Sequence, residues 1–232
     1  MKRVLLKLSG EALAGGGADI YDVSLVDRTA QALVTLAREG YELAVVVGAG
    51  NIWRGRQGGD MDRVSADRMG MLATVINSIC LSEAVARAGG SAKVMTSVPM
   101  APFAEPYSSD LAKRYLEAGN IVILGAGLGI PFLSTDTAGA VRAAEIGADA
   151  MLMAKNVDYV YTDDPRKNPN AKRLTEVRAS EVLAMNLKAI DATATAFCLS
   201  TDMPIRIFGM KNPEDIIRAV RDSVAGTVIT PN

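Results

Sequence analysis

The run I-V-I-L-G-A-G-L-G-I-P-F-L-S-T-D-T at residues 121–137 constrains the fold more than any other stretch. Its apolar, largely β-branched start reads as a buried strand. Three glycines follow (Gly125, Gly127, Gly129), and Ser134, Thr135 and Asp136 then open an Ala-rich segment of helical character. Glycines let a ligand approach the backbone closely, and a helix start offers free N–H groups to an anion. The run therefore suits a phosphorylated ligand held beyond the carboxyl end of a strand. By itself the signal is weak, since many strand-to-helix turns are glycine-rich for geometric reasons alone.

Similar units recur along the chain. Strands are predicted at 3–8, 43–47, 93–95, 121–124, 150–154 and 205–208, with an edge strand at 227–230. Helix-period segments lie between them: one capped by Ser24 and stopping at Gly40, then 64–88, 110–117, 137–146, 179–186, 189–201 and 213–222. Val160 and Tyr161 read as a short strand or hairpin arm before a polar loop at 162–170. The alternation predicts an α/β fold, a three-layer α/β/α sandwich with a mainly parallel central sheet. No repeat or long linker divides the 232 residues. One domain is expected, with a shift of character near Asp149 separating an N-terminal lobe (about 1–148) from a C-terminal one (about 149–232).

Composition excludes several chemistries. The chain has no histidine, which removes Ser-His-Asp and Cys-His catalysis and His-ligated zinc. Its net charge of −1 and lack of basic runs argue against nucleic acid or a membrane surface as partner. Cys80 and Cys198 read as buried structural thiols in a reducing cytoplasm. The start of the chain mimics an export signal, but Lys7 and Glu11 interrupt its apolar segment. No stretch approaches the ~18 apolar residues needed to span a membrane.

Four strand ends carry unusual polar groups. Lys7-Leu8-Ser9-Gly10 places a lysine inside an apolar strand, where a charge is costly unless something pairs it. G-A-G-N-I-W-R-G (48–55) follows a buried strand; its amides could nest an anion, and the Arg54 guanidinium suits phosphate. The third is the opening run. In the fourth, Tyr161 could lie against a base and Asp164 could accept a ribose hydroxyl, although a plain turn explains that loop equally well. No P-loop motif occurs, and G-x-G-x-G departs from the dinucleotide fingerprint. Scattered Lys, Arg and Asp at glycine-lined strand ends suggest two phosphorylated groups placed head to head.

In this order the segments resemble the bacterial-type uridylate (UMP) kinases of the amino acid kinase superfamily, over essentially the whole chain. The most specific pieces are K-L-S-G-E-A-L (7–13), G-A-G-N-I-W-R-G, D-R-M-G-M-L-A-T (67–74), G-I-P-F-L-S-T-D (129–136) and V-Y-T-D-D-P (160–165). The D-R-M-G-M-L-A-T block resembles the UMP-binding helix and separates this group from the acetylglutamate, aspartate and carbamate kinases.

The resemblance implies transfer of a phosphoryl group from MgATP to UMP, giving ADP and UDP. Lys7, Leu8, Ser9, Gly10, Gly50 and Arg54 would form the ATP phosphate site, with Asn156, Tyr161 and Asp164 contacting adenosine. Ala49, Asp67 and the turn Leu128, Gly129, Ile130, Pro131, Phe132, Leu133, Ser134 and Thr135 would bind UMP. Asp136 and Asp191 fall on acidic positions that organise the active site, while Lys7 and Arg54 would stabilise charge on the moving group. Magnesium would bridge the ATP phosphates, and no residue of the sequence is assigned to hold it. A homohexamer and inhibition by UTP are also implied. Residues 15–21 (G-G-G-A-D-I-Y) depart from the family's usual segment, which puts GTP activation in question. Rival readings are a superfamily kinase acting on a carboxylate or carbamate, and a non-catalytic nucleotide-binding protein on the same fold.

Overall fold

The computed structural model describes residues 2–15, 19–53, 59–163, 165, 167–187, 189–222 and 226–231. A nine-stranded sheet runs through them in the order β4-β3-β5-β2-β1-β6-β10-β11-β9. Its strands are β1 (Arg3–Leu8), β2 (Glu42–Val47), β3 (Ala92–Thr96), β4 (Glu105–Pro106), β5 (Ile121–Gly125), β6 (Ala150–Lys155), β9 (Glu176–Arg178), β10 (Ile205–Gly209) and β11 (Thr227–Thr230). Every neighbouring pair is parallel except β10 with β11. A separate hairpin joins β7 (Val160–Tyr161) to β8 (Arg173–Leu174).

Both faces of the sheet are covered, as continuous apolar strands require. One layer holds α1 (Val23–Arg38), α2 (Arg63–Arg87) and α7 (Asp215–Arg221); the other holds α3 (Ser109–Glu117), α4 (Thr135–Glu145), α5 (Ala179–Ala184) and α6 (Ala192–Thr201). Alternate residues of β1 divide between the layers: Val4, Leu6 and Leu8 face α1, and Leu5 faces α4. The expected three-layer α/β/α sandwich is thus present.

The structure amends the sequence reading in places. Helix α1 starts two residues early: Asp22, not Ser24, is its cap, accepting from Leu25 N at 3.1 Å. Strand β11 is not an edge, because β9 lies beyond it. Helix α2 is long and apolar enough, by length and composition alone, to cross a membrane. This amends the expectation that no stretch approaches the length needed. It packs on α1, β3 and β5, as a helix covering a sheet does.

Strand β1 sits where the chain order reverses, with β2 on one side and β6 on the other. In open α/β sheets such a switch point leaves a crevice beyond the carboxyl ends of the strands. The polar strand ends picked out by sequence meet there.

Candidate functional site

Lys7 shares the parity of Leu5 and so points at the α4 layer. On the neighbouring strand Met153 is its register partner, and Lys155, two residues on, emerges on the same face. Above both lies the first turn of α4. There Asp136 receives Lys7 Nζ at 2.7 Å on one carboxylate oxygen and Lys155 Nζ at 2.9 Å on the other. The cluster is largely buried, with the Lys7 and Asp136 side chains 10% and 13% exposed. Burial pushes the Asp136 carboxyl up, but the two lysines outweigh it and hold the group below the usual carboxylate range. Two cations around one anion leave an excess positive charge.

Helix α4 owes its position to Ser134, whose Oγ caps it by accepting from Asp136 N and Thr137 N, each at 3.1 Å. Asp191 fastens that cap to α6: its carboxylate accepts from Ser134 Oγ, from Thr137 Oγ1 at 3.0 Å and from Ala194 N at 2.8 Å. Asp191 is thus the N-cap of α6 and a staple between two helix starts. It lines a 370 Å³ cavity together with Asp136 and Lys155.

Two larger cavities flank the cluster. The first, about 700 Å³, is lined by Ser9, Gly50, Asn51, Lys155, Asn156 and Lys211 among others. The second, about 540 Å³, lies between α2 and the glycine turn; Ala49, Asp67, Leu128, Ile130, Phe132, Leu133, Ser134 and Thr135 all line it. Gly129 and Pro131, expected with them, do not. Gly50 belongs to both cavities. Tyr161 lies apart, in a 460 Å³ cavity lined also by Val160, Met185, Asn186, Leu187 and Ala189, and its hydroxyl donates to Asp158 at 3.0 Å. Leu8 turns its side chain into the core, so only its backbone can face a ligand. Arg54 and Asp164 lie outside the described residues.

The floor between the cavities depends on a close approach. A Cβ on Gly10 would lie 2.6 Å from Gly48 O and 2.7 Å from Gly50 N, so only glycine lets these loops touch. Asn77, fully buried on α2, donates to Gly48 O at 2.7 Å and to Asn51 Oδ1 at 2.8 Å, and accepts from the Tyr21 hydroxyl at 2.7 Å. Ala49 does not have a positive φ, so alanine is unstrained there.

The glycine turn is held in an uncommon conformation. Ala126 (φ 61°) and Phe132 (φ 69°) are non-glycine residues in the left-handed region. Helix α2 fixes both ends, since Ala126 N donates to Thr74 Oγ1 at 2.8 Å and Phe132 N to Asp67 Oδ2 at 2.8 Å. The Asp67 carboxylate also receives Arg63 Nε at 2.9 Å.

Sequence reasoning missed Lys155 and Asn77, and it quoted Thr74 only as the last residue of D-R-M-G-M-L-A-T. Lys155 closes A-M-L-M-A-K, and a charge at a strand end is unremarkable. A polar group in a helix of mixed character, as Asn77 is, carries no mark either.

The chain belongs to the amino acid kinase family, whose model matches residues 2–209. Within that family its similarity is to uridylate kinases. It is 46% identical over 230 residues to the uridylate kinase of Corynebacterium glutamicum (strain R), covering 98% of this chain and 94% of the relative. Its structure superposes on UMP kinase from Bacillus anthracis with a TM-score of 0.95 at 35% identity, covering 100% of this chain and 96% of the other. For UMP kinase from Ureaplasma parvum the TM-score is 0.92 at 32% identity, over 99% and 98% of the two chains.

Proposed function

We propose that this chain is a UMP kinase, transferring the γ-phosphoryl group of ATP reversibly to UMP and giving ADP and UDP for pyrimidine nucleotide synthesis. The observation that carries the reading is the buried Lys7–Asp136–Lys155 cluster, with its excess positive charge, beside two cavities that meet at Gly50. Phosphoryl transfer requires positioning and charge neutralisation more than covalent help. The larger cavity holds ATP phosphates over Ser9, Gly10 and Gly50, and the other holds UMP. The C-terminal lobe, from about residue 149, supplies the adenosine side, with Asn156, Tyr161 and Asp164; the N-terminal lobe supplies the acceptor side.

A phosphate oxygen of UMP attacks the γ-phosphorus in line. The new P–O bond forms as the bond to the β-phosphate's bridging oxygen breaks, and ADP leaves with that electron pair. The attacking oxygen is already anionic, so a site without histidine suffices. Lys7, Lys155 and Arg54 stabilise the charge that spreads over the moving group. Asp136 holds the two lysines in place, and Asp191 secures the start of α4. Asp67, now paired with Arg63, binds the UMP ribose.

Among the described residues no group of three acidic, cysteine or histidine side chains converges as a metal cage. Magnesium would enter with ATP and supply charge neutralisation for the transfer. We further propose a homohexamer that uses the exposed Met69, Leu72, Ile76 and Ile79 face of α2 as a subunit contact, inhibition by UTP, and a cytoplasmic location in keeping with free Cys80 and Cys198.

Coupled ADP release tests the reaction with UMP, CMP, acetylglutamate and carbamate as acceptors. Turnover strongly favouring UMP is expected. Turnover with acetylglutamate or carbamate alone would replace this reading by the carboxylate or carbamate one.

A further inference from the structure

The glycine turn is fastened on the side away from α2 by a relay that starts on α4. Arg142, with its side chain 9% exposed, stacks on the Tyr107 ring, its Cζ 3.7 Å from the ring centre. Its Nη1 donates to Glu145 Oε2 at 2.6 Å, an oxygen that also accepts from the Tyr107 hydroxyl at 2.8 Å. Its Nη2 donates to Ser97 Oγ at 2.7 Å, and Ser97 Oγ in turn donates to Gly127 O at 2.6 Å.

The relay has one direction. A guanidinium can only donate, so it occupies a lone pair of the serine oxygen and leaves the single hydroxyl proton for Gly127. Charge on the first donor strengthens the chain that follows. The Gly127–Leu128 peptide is planar and trans, so a carbonyl drawn to Ser97 turns the Leu128 N–H the opposite way. Both residues line the 540 Å³ cavity, and among the described residues the Leu128 N–H meets no protein acceptor. Gly127 has φ 56°, a region that leaves the peptide direction to its hydrogen bonds rather than to a side chain. An arginine serving stability alone would need only Glu145 and the Tyr107 ring.

We propose that Arg142 is a positioning residue for the acceptor: through Ser97 it fixes the Gly127–Leu128 peptide so that the Leu128 N–H is presented to the acceptor held in that cavity. The inference rests on reading that cavity as the acceptor site. Arg142 itself touches no substrate.

Ser97→Ala breaks the relay and leaves the Arg142–Glu145 pair and the Tyr107 stacking in place. It is expected to raise KM for UMP about tenfold, the size of one net hydrogen bond, with KM for ATP changing less than about twofold. Arg142→Met should raise KM for UMP at least as much. The double variant should be no worse than Arg142→Met, because the two residues act in series. Trp53, the chain's one tryptophan, lines the same cavity and reports UMP affinity directly by its fluorescence. An unchanged UMP affinity in Ser97→Ala, or parallel losses for UMP and ATP, overturns the relay. A wild-type chain without UMP turnover overturns the function reading instead; the Trp53 titration still compares the variants, and equal affinities count against the relay.

Discussion

Strand β1 carries an ion cluster at each end, and the two differ in charge balance. At its start, Arg3 donates to Glu42 at 2.6 Å, to Glu117 at 3.1 Å and to Ile146 O at 2.7 Å, while Lys2 pairs with Glu42 at 2.9 Å. Asp149 accepts from the backbone of both residues. Every cation there has a carboxylate, and water reaches part of the cluster. At the other end two lysines share the single carboxylate of Asp136, deeper in the protein. A cluster with a carboxylate for every cation completes a fold. An unbalanced buried one costs stability and is retained where a ligand supplies the missing charge. On the function proposed above, the end with excess positive charge is the reactive one.

Experiments can break each end separately. The largest effect is expected from Lys7→Ala or Lys155→Ala, lowering kcat by about 10²–10³-fold, the scale for removing one charge-stabilising donor. UMP should still bind, as Trp53 fluorescence would reveal; an unchanged rate would refute the role assigned to that lysine. Asp136→Asn comes next. It leaves two buried ammonium groups without a carboxylate, and a loss of about 3–5 kcal/mol in denaturant unfolding is expected alongside lost activity. Nucleotide should restore part of that stability, since bound phosphate supplies negative charge. At the opposite end Glu42→Gln should cost about 1–3 kcal/mol and leave kcat unaltered. A fall in kcat there would dissolve the distinction between the two ends.

The smallest effect is on pH dependence. Burial raises the carboxyls of Asp136 and Glu42, and their cationic neighbours more than offset it, leaving both below ordinary values. Groups depressed on folding contribute stability above their unfolded pKa and lose it as pH falls through the folded one. Unfolding free energy should therefore be level between pH 6 and 8 as far as these groups are concerned. It should decline below about pH 4, the ordinary carboxylate range. Asp136→Asn and Glu42→Gln should each remove part of that decline in an acid titration followed by circular dichroism.

Much of this fold is readable in the chain because its central strands are mostly apolar, several of them ending at a glycine. The short strands are not. Glu105–Pro106, Arg173–Leu174 and Glu176–Arg178 are too brief to show a period; the first and last pair with longer strands, and the second with the equally short β7. Missing β9 is also what made β11 look like an edge. In the site, Lys7 stands out because a charge interrupts V-L-L-K-L, whereas Lys155 ends its strand, where a lysine is ordinary. Only the register of β1 against β6 shows that the two lysines share a face. Asp191 reads as an acidic residue near a helix; its bonds to Ser134 and Thr137 depend on how α6 meets α4, which no local pattern encodes.

Gly50 is the one residue that the two large cavities have in common among those described. With only a glycine between them, a single molecule could lie across both. An adenosine end and a uridine end joined by a phosphate chain would, on the reading offered here, seat its second half at the effective concentration set by a very short linker. Such a compound should bind far more tightly than either nucleotide, and its preferred number of phosphates would measure the distance over which the group is passed.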